Sequence, residues 1–106
     1  MAKAGRVTVT TVSAFHALGL PDADDLVLRS ALLKKVGAAI REKGLSQARI
    51  GKLIDMDQPR VSALLNGKIS LFSTDKLVSI LNALGQDVEV RVRPSKEERG
   101  HLLVPS

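Results

Sequence analysis

The sequence predicts one mainly α domain of four to five helices followed by a single C-terminal β-strand. Three observations point there. Apolar residues recur at helical spacing in four blocks between Leu26 and Leu84, each block opened by a capping residue and three of them closed by glycine. Beyond the last block the period changes, because Asp87-Val-Glu-Val-Arg-Val-Arg93 alternates strictly between charged and apolar residues. Finally, 106 residues with 44% hydrophobic and 25% charged side chains make one ordinary globular domain with a single core.

Residues 1–21 read as an N-terminal arm. Val7-Thr-Val-Thr-Thr-Val12 is β-branched but follows a polar start, which suits a frayed arm or short edge strand. Ser13 to Leu18 has room for one short helical turn before Gly19. The helical domain spans 22–85. Leu20-Pro21-Asp22 opens a long helix, with Asp22 at the cap and Asp24 and Asp25 near its positive end. Leu26, Leu33, Val36 and Ile40, flanked by Ala31, Leu32 and Ala39, form its apolar face to about Lys43, and Gly44 ends it.

Three shorter helices follow. Ser46 caps one running to about Ile54, and Asp57 caps the next, to about Leu65, which Asn66-Gly67 ends. Pro59 falls in the first turn of that helix, where its missing N–H would have had no intrahelical partner. Ser73 or Thr74 starts the last, with Leu77, Ile80, Leu81 and Leu84 on one face and Gly85 as the stop. Residues 86–94 then form the strand, ended by Pro94, and 95–106 read as a mobile charged tail.

Composition excludes whole classes of function. Cysteine is absent, and His16 and His101 have no ligand or acid–base partner at a useful spacing. A zinc site, a Ser-His-Asp triad and a Cys-His dyad are therefore ruled out, and no enzyme, cofactor or small-molecule ligand is expected. No stretch is long and apolar enough to span a membrane, and the cysteine-free composition fits a reducing, cytoplasmic compartment. The net charge is +5 and unevenly placed. Arg29, Lys34, Lys35, Arg41 and Lys43 against Glu42 leave +4 on residues 29–45, and Arg49, Lys52, Arg60 and Lys68 against Asp55 and Asp57 leave +2 on residues 46–70. A basic middle suits a polyanion partner, or else a solvated basic surface. With only Phe15 and Phe72 as aromatics, stacking on single-stranded bases cannot carry the binding.

Leu45 to Lys68 is the informative segment. Two short helices joined by about three residues satisfy the spacing of a helix-turn-helix. Ala48, Ile50, Leu53 and Ile54 are expected to face inward and meet Val61, Leu64 and Leu65, with Gly51 small where the helices cross. Gln58, Arg60, Ser62 and Ala63 are then expected outward. Glutamine can bond adenine through two atoms, arginine can bond guanine, and alanine can touch a thymine methyl, so these side chains suit a major groove. Gln47, Asn66 and Lys68 stand where phosphates would be held. A generic helical hairpin with a polar outer face is the alternative on helix count alone.

Ser46-Gln47-Ala48, Gly51, Leu53-Ile54, Val61-Ser62 and Leu64-Leu65-Asn66-Gly67-Lys68 closely resemble the lambda-repressor/Cro-like (XRE) helix-turn-helix family. The resemblance implies double-stranded DNA as partner. Ser46, Gln47 and Asp57 would lie on the phosphate side or at helix starts, Gln58, Pro59, Arg60, Ser62 and Ala63 would face bases, and Asn66 and Lys68 would touch the backbone. Two residues depart from the pattern: Asp55 stands at a turn position often occupied by glycine, and Pro59 replaces a polar base-facing residue. Aspartate tolerates a left-handed backbone better than most residues, so the turn remains possible. The order of elements from Leu18 to Val92 is also similar to small XRE proteins that include HigA-type antitoxins of bacteria or phage. That similarity implies a nucleoid-associated autorepressor with a RelE/HigB-like toxin as partner.

A lone strand must pair with something. Its partner is either the arm, Val7 to Val12, or the same strand of a second copy. With a two-fold axis at Val90, Glu89 faces Arg91, Asp87 faces Arg93 and Val88 faces Val92, so every pair is complementary, each worth ~0.2–1 kcal/mol. The arm offers no charge match. A homodimer through Asp87, Val88, Glu89, Val90, Arg91, Val92 and Arg93 is therefore the expectation, on a palindromic operator with half-sites ~34 Å apart. The competing functional reading is a protein-interaction module that masks a partner and binds DNA weakly or only with help.

Overall fold

The computed structural model describes residues 6–8 and 22–104. Its elements are β1 (Arg6–Thr8), α1 (Asp22–Lys43), α2 (Gln47–Leu53), α3 (Gln58–Leu65), a 3₁₀ turn (Ile69–Leu71), α4 (Thr74–Ala83) and β2 (Glu89–Arg91). The mainly helical fold and the helix limits agree with the sequence reading to within a residue or two. The short helical turn expected at Ser13–Leu18 and most of the arm lie outside the described residues, as does the side chain of the expected cap Asp22.

Local chemistry explains where three of the helices begin. The Arg49 amide donates to Ser46 Oγ at 3.3 Å, the Arg60 amide to Asp57 Oδ1 at 3.0 Å and the Lys76 amide to Ser73 Oγ at 3.1 Å. Each cap satisfies an amide that would otherwise lack an intrahelical acceptor. At the other end of α4 the chain turns through Gly85, whose φ of 84° lies in the left-handed region.

The core lies between α1 and α4, which pack together more extensively than any other pair of helices. Leu32, Val36, Ala39 and Ile40 of α1 meet Leu77, Val78, Ile80, Leu81 and Leu84, while Ile50, Ile54, Val61 and Leu64 close the cluster from the helix-turn-helix side. Fully burying one such side chain is worth ~1.5–3 kcal/mol, so this cluster dominates the folding energy. Phe72 is also part of it, only 1% exposed, just past the 3₁₀ turn.

Several expected core positions point elsewhere. Leu26 is 47% exposed, Leu53 42% and Leu65 40%, and Ala48 is exposed as well. For Ala48, Leu53 and Leu65 the reason is angular. At about 100° per residue, a two-turn helix can turn only a narrow stripe inward, and Ile50 with Ile54, or Val61 with Leu64, already fills it.

Within the chain the strand takes the arm, one of the two neighbours the sequence offers. β2 pairs antiparallel with β1 of its own chain, with Arg6 opposite Arg91, Val7 opposite Val90 and Thr8 opposite Glu89. The strand is three residues long, so Asp87, Val88, Val92 and Arg93 lie beyond it. The alternation marks the buried face for Val88 and Val90, which pack on the core, but not for Val92, which follows the end of the strand and is exposed. An alternating pattern sets which face is buried and leaves open which chain lies alongside, and here the arm is the neighbour. Among the described residues β2 has one strand neighbour, so its second edge carries no strand. No helix among the described residues is long and apolar enough to cross a membrane. From Pro94 to Val104 the chain has no regular secondary structure, and His101 Nε2 lies 3.4 Å from Glu97 Oε2.

Candidate nucleic-acid interface

α2 and α3 are joined by a tight turn. The Ile54 amide donates to Ile50 O at 3.0 Å and the Met56 amide to Gly51 O at 2.8 Å. Asp55 takes a φ of 55°, the one non-glycine residue with positive φ among those described. It occupies the turn position that is often glycine in the family the sequence resembles, and as an aspartate it accepts that conformation at modest cost. Gly51 is required for a different reason. A Cβ there would lie 2.7 Å from the Met56 carbonyl oxygen and 3.4 Å from Val61 Cγ2. The turn and α3 therefore approach α2 more closely than any other residue would allow.

Those constraints set the roll of α3. With Val61 and Leu64 buried, a step of about 100° per residue puts Pro59 and Asn66 at the middle of the opposite face, Ser62 and Ala63 ~50° to either side of it and Gln58 ~90° away on one flank. Gln58, Pro59 and Asn66 are exposed; Ser62 and Ala63 are half-buried, and Ala63 also touches the core. Asn66 Nδ2 donates to Ser62 Oγ at 3.3 Å, which links two members of the stripe. Gln47, at the start of α2, and Gln58, at the start of α3, line one cleft together with Asp55 and Asp57. Ser46 and Asp57 act as helix caps, so their side-chain oxygens are engaged with backbone amides. Past α3, the Lys68 amide donates to Ala63 O at 3.0 Å, and the Lys68 side chain is exposed.

Arg60 stands apart from the other members of the expected base-facing set. It lies on the flank of α3 nearest the 3₁₀ turn, with its guanidinium carbon 5.2 Å from the centre of the Phe72 ring. Close by, a set of polar contacts ties α1 to the segment that follows α3. Arg29 Nε lies 2.9 Å from Asp25 Oδ2, Thr74 Oγ1 donates to Asp25 Oδ1 at 2.9 Å, and Arg29 Nη1 donates to Ile69 O at 3.2 Å. Asp25, expected only to favour the positive end of α1, thus also accepts from the start of α4. Of this set, only the Asp25–Arg29 spacing was visible in the sequence, as an i,i+4 ion pair. The Thr74, Ile69 and Phe72 contacts join residues far apart in the chain.

The fold and this arrangement are those of a helix-turn-helix domain. The helix-turn-helix domain family matches residues 14–93. A solved structure whose name assigns it to the XRE family of transcriptional regulators is similar, with 36% identity over 81% of this chain and 97% of that one and a TM-score of 0.72. No curated protein matches the chain. The chain belongs to the XRE-type helix-turn-helix family.

Proposed function

We propose that this protein is a sequence-specific double-stranded DNA-binding transcriptional regulator. The observation that carries the proposal is the outward face of α3. Its core face and its Asp57 cap hold the helix rigidly, and it presents Gln58, Pro59, Ser62 and Ala63 to the bases, with Asn66 at the C-terminal end of the same face. Gln58 has the donor and acceptor pair that suits adenine, and Ala63 and Pro59 offer apolar contact for a thymine methyl. Ser46, Gln47, Asn66 and Lys68 are the residues we assign to phosphates on either side, with Asp57 holding the start of the reading helix. The name of the XRE-family structure, a transcriptional regulator, supports the regulatory reading.

The finer form of this reading is an autorepressor that acts as a homodimer on a palindrome. One such domain reads few base pairs, so useful specificity calls for two copies. On the edge of β2 away from β1, where the described residues place no strand, a second β2 can pair about Val90 while β1 keeps the first edge. Asp87 would then face Arg93 and Glu89 would face Arg91 across the two-fold. The resemblance to HigA-type proteins adds a RelE/HigB-like toxin as a further partner, for which exposed Leu102 and Leu103 are candidate contacts. Co-purification with the product of an adjacent short gene tests that last element.

The test of the main reading is a gel-shift titration on the DNA just upstream of the protein's own gene, beside a scrambled duplex at matched salt. Tighter binding to the native duplex is expected. Equal, weak binding to both would give precedence to the interaction-module reading.

A further inference from the structure

Outside the outward stripe of α3, the structure gathers cations from three helices around one surface depression. Arg29 of α1, Arg60 of α3 and Lys76 of α4 line it with Ser70, Leu71, Ser73 and Asp25. Among the described residues Asp25 is the one carboxylate of the lining, and it is already engaged by Arg29 and Thr74. Three cations against one carboxylate leave an excess of two positive charges in an open, hydroxyl-bearing hollow, an environment for a phosphate and unsuited to a cationic ligand.

The geometry points to a phosphodiester-binding site here, with Arg60 as a ligand of the DNA backbone instead of a reader of guanine. This inference rests on the DNA-binding reading above. Arg60 stands ~110° around α3 from the middle of the outward stripe, on the flank away from Gln58, which brings its guanidinium beside the 3₁₀ turn and Phe72. Its guanidinium lies over the Phe72 ring, and a stacked guanidinium keeps its in-plane N–H groups available for phosphate oxygens. Arg29 is steadied in the same way by Asp25 and the Ile69 carbonyl. Two of the three cations are thus pre-positioned, and Lys76 adds a point charge. A duplex whose major groove takes the stripe of α3 carries a sugar–phosphate strand along that helix's flank, where the depression opens.

The consequence concerns specificity. With Arg60 removed from the base-reading set, the stripe holds glutamine, proline, serine, alanine and asparagine and no cation suited to guanine. Base reading falls to Gln58 and the apolar contacts, which favour A·T pairs.

The test is the salt dependence of duplex binding for the full chain and for Arg60→Ala, Lys76→Ala and the double variant, on a preferred and a scrambled duplex. The slope of log K against log salt should flatten by about 0.9 for each cation removed, because each phosphate contact releases its counterions. Affinity should fall by the same factor on both duplexes, leaving their ratio unchanged. Arg60→Lys should keep the wild-type slope, which separates lost charge from lost packing, and thermal melts check that each variant is folded. Loss of discrimination at a single base pair in Arg60→Ala would overturn the assignment, as would unchanged slopes in folded variants. Binding of inorganic phosphate at the depression with unchanged duplex slopes would also overturn it, by showing a free-anion site. If the wild-type chain binds neither duplex, the DNA-binding reading itself fails, a result distinct from any of these.

Discussion

Gly51 and Gly37 are both helical glycines, and the structure predicts opposite responses when each becomes alanine. At Gly51 the new Cβ would stand 2.7 Å from the Met56 carbonyl oxygen, a backbone atom held in the turn by the Met56–Gly51 hydrogen bond of 2.8 Å. Neither atom can yield without shifting α3 against α2. Overpacking of this kind costs about 1–3 kcal/mol, and for a domain of this size that lowers Tm by roughly 5–20 °C. At Gly37, inside α1, the new Cβ would meet only the tip of the Arg41 side chain, at 3.5 Å. Arg41 can move, so the ordinary helix preference for alanine remains, a gain of about 0.5–1 kcal/mol. Thermal melts of the two variants beside the wild type, followed by circular dichroism, measure both effects in one experiment. A Gly51→Ala protein melting within a degree of the wild type would refute the close approach on which the roll of α3 depends.

Other consequences concern single contacts. Asp55→Gly relieves the left-handed turn residue and should stabilise the fold by roughly 0.5–1 kcal/mol, read as a higher urea midpoint at unchanged slope. Phe72→Ala empties a fully buried site beneath Arg60 and should cost about 3–5 kcal/mol in chemical denaturation. Asp57→Ala removes the α3 cap and should cost ~0.5–2 kcal/mol, with a measurable loss of helicity. Asp25 and Thr74 should show a coupling of about 0.5–1.5 kcal/mol in a double-mutant cycle, and strict additivity would mean that the 2.9 Å bond contributes nothing.

What the sequence made legible was local chemistry. Ser46, Asp57 and Ser73 cap helices because a short oxygen-bearing side chain next to an apolar run has one strong use, and that use is visible in a window of four residues. Gly51 and Asp55 were legible for the same reason, as residues suited to a close crossing and a tight turn. The orientation of short helices was less so. Leu53 and Leu65 are as apolar as Ile50 and Leu64, and only the tertiary arrangement decides which of them turns inward. The partner of β2 was illegible in principle, since alternation encodes a face and charge matching among candidate neighbours decides little over three residues. Arg60 lies over the Phe72 ring, and nothing in its neighbourhood along the chain announces that contact, twelve residues on. The Asp25–Thr74 contact, between residues 49 apart, is of the same kind.

The central claim is that the outward stripe of α3 reads the sequence of duplex DNA. Selection from a pool of random duplexes by the purified chain tests it without any assumption about the natural operator, and a Gln58→Ala protein taken through the same rounds identifies the reader. The account predicts that the wild type enriches a two-fold-related site with A·T pairs in each half, and that Gln58→Ala relaxes the choice at one pair per half-site while still binding DNA. A pool that remains random after repeated rounds with the wild-type chain, under salt conditions where it binds duplexes, would contradict it.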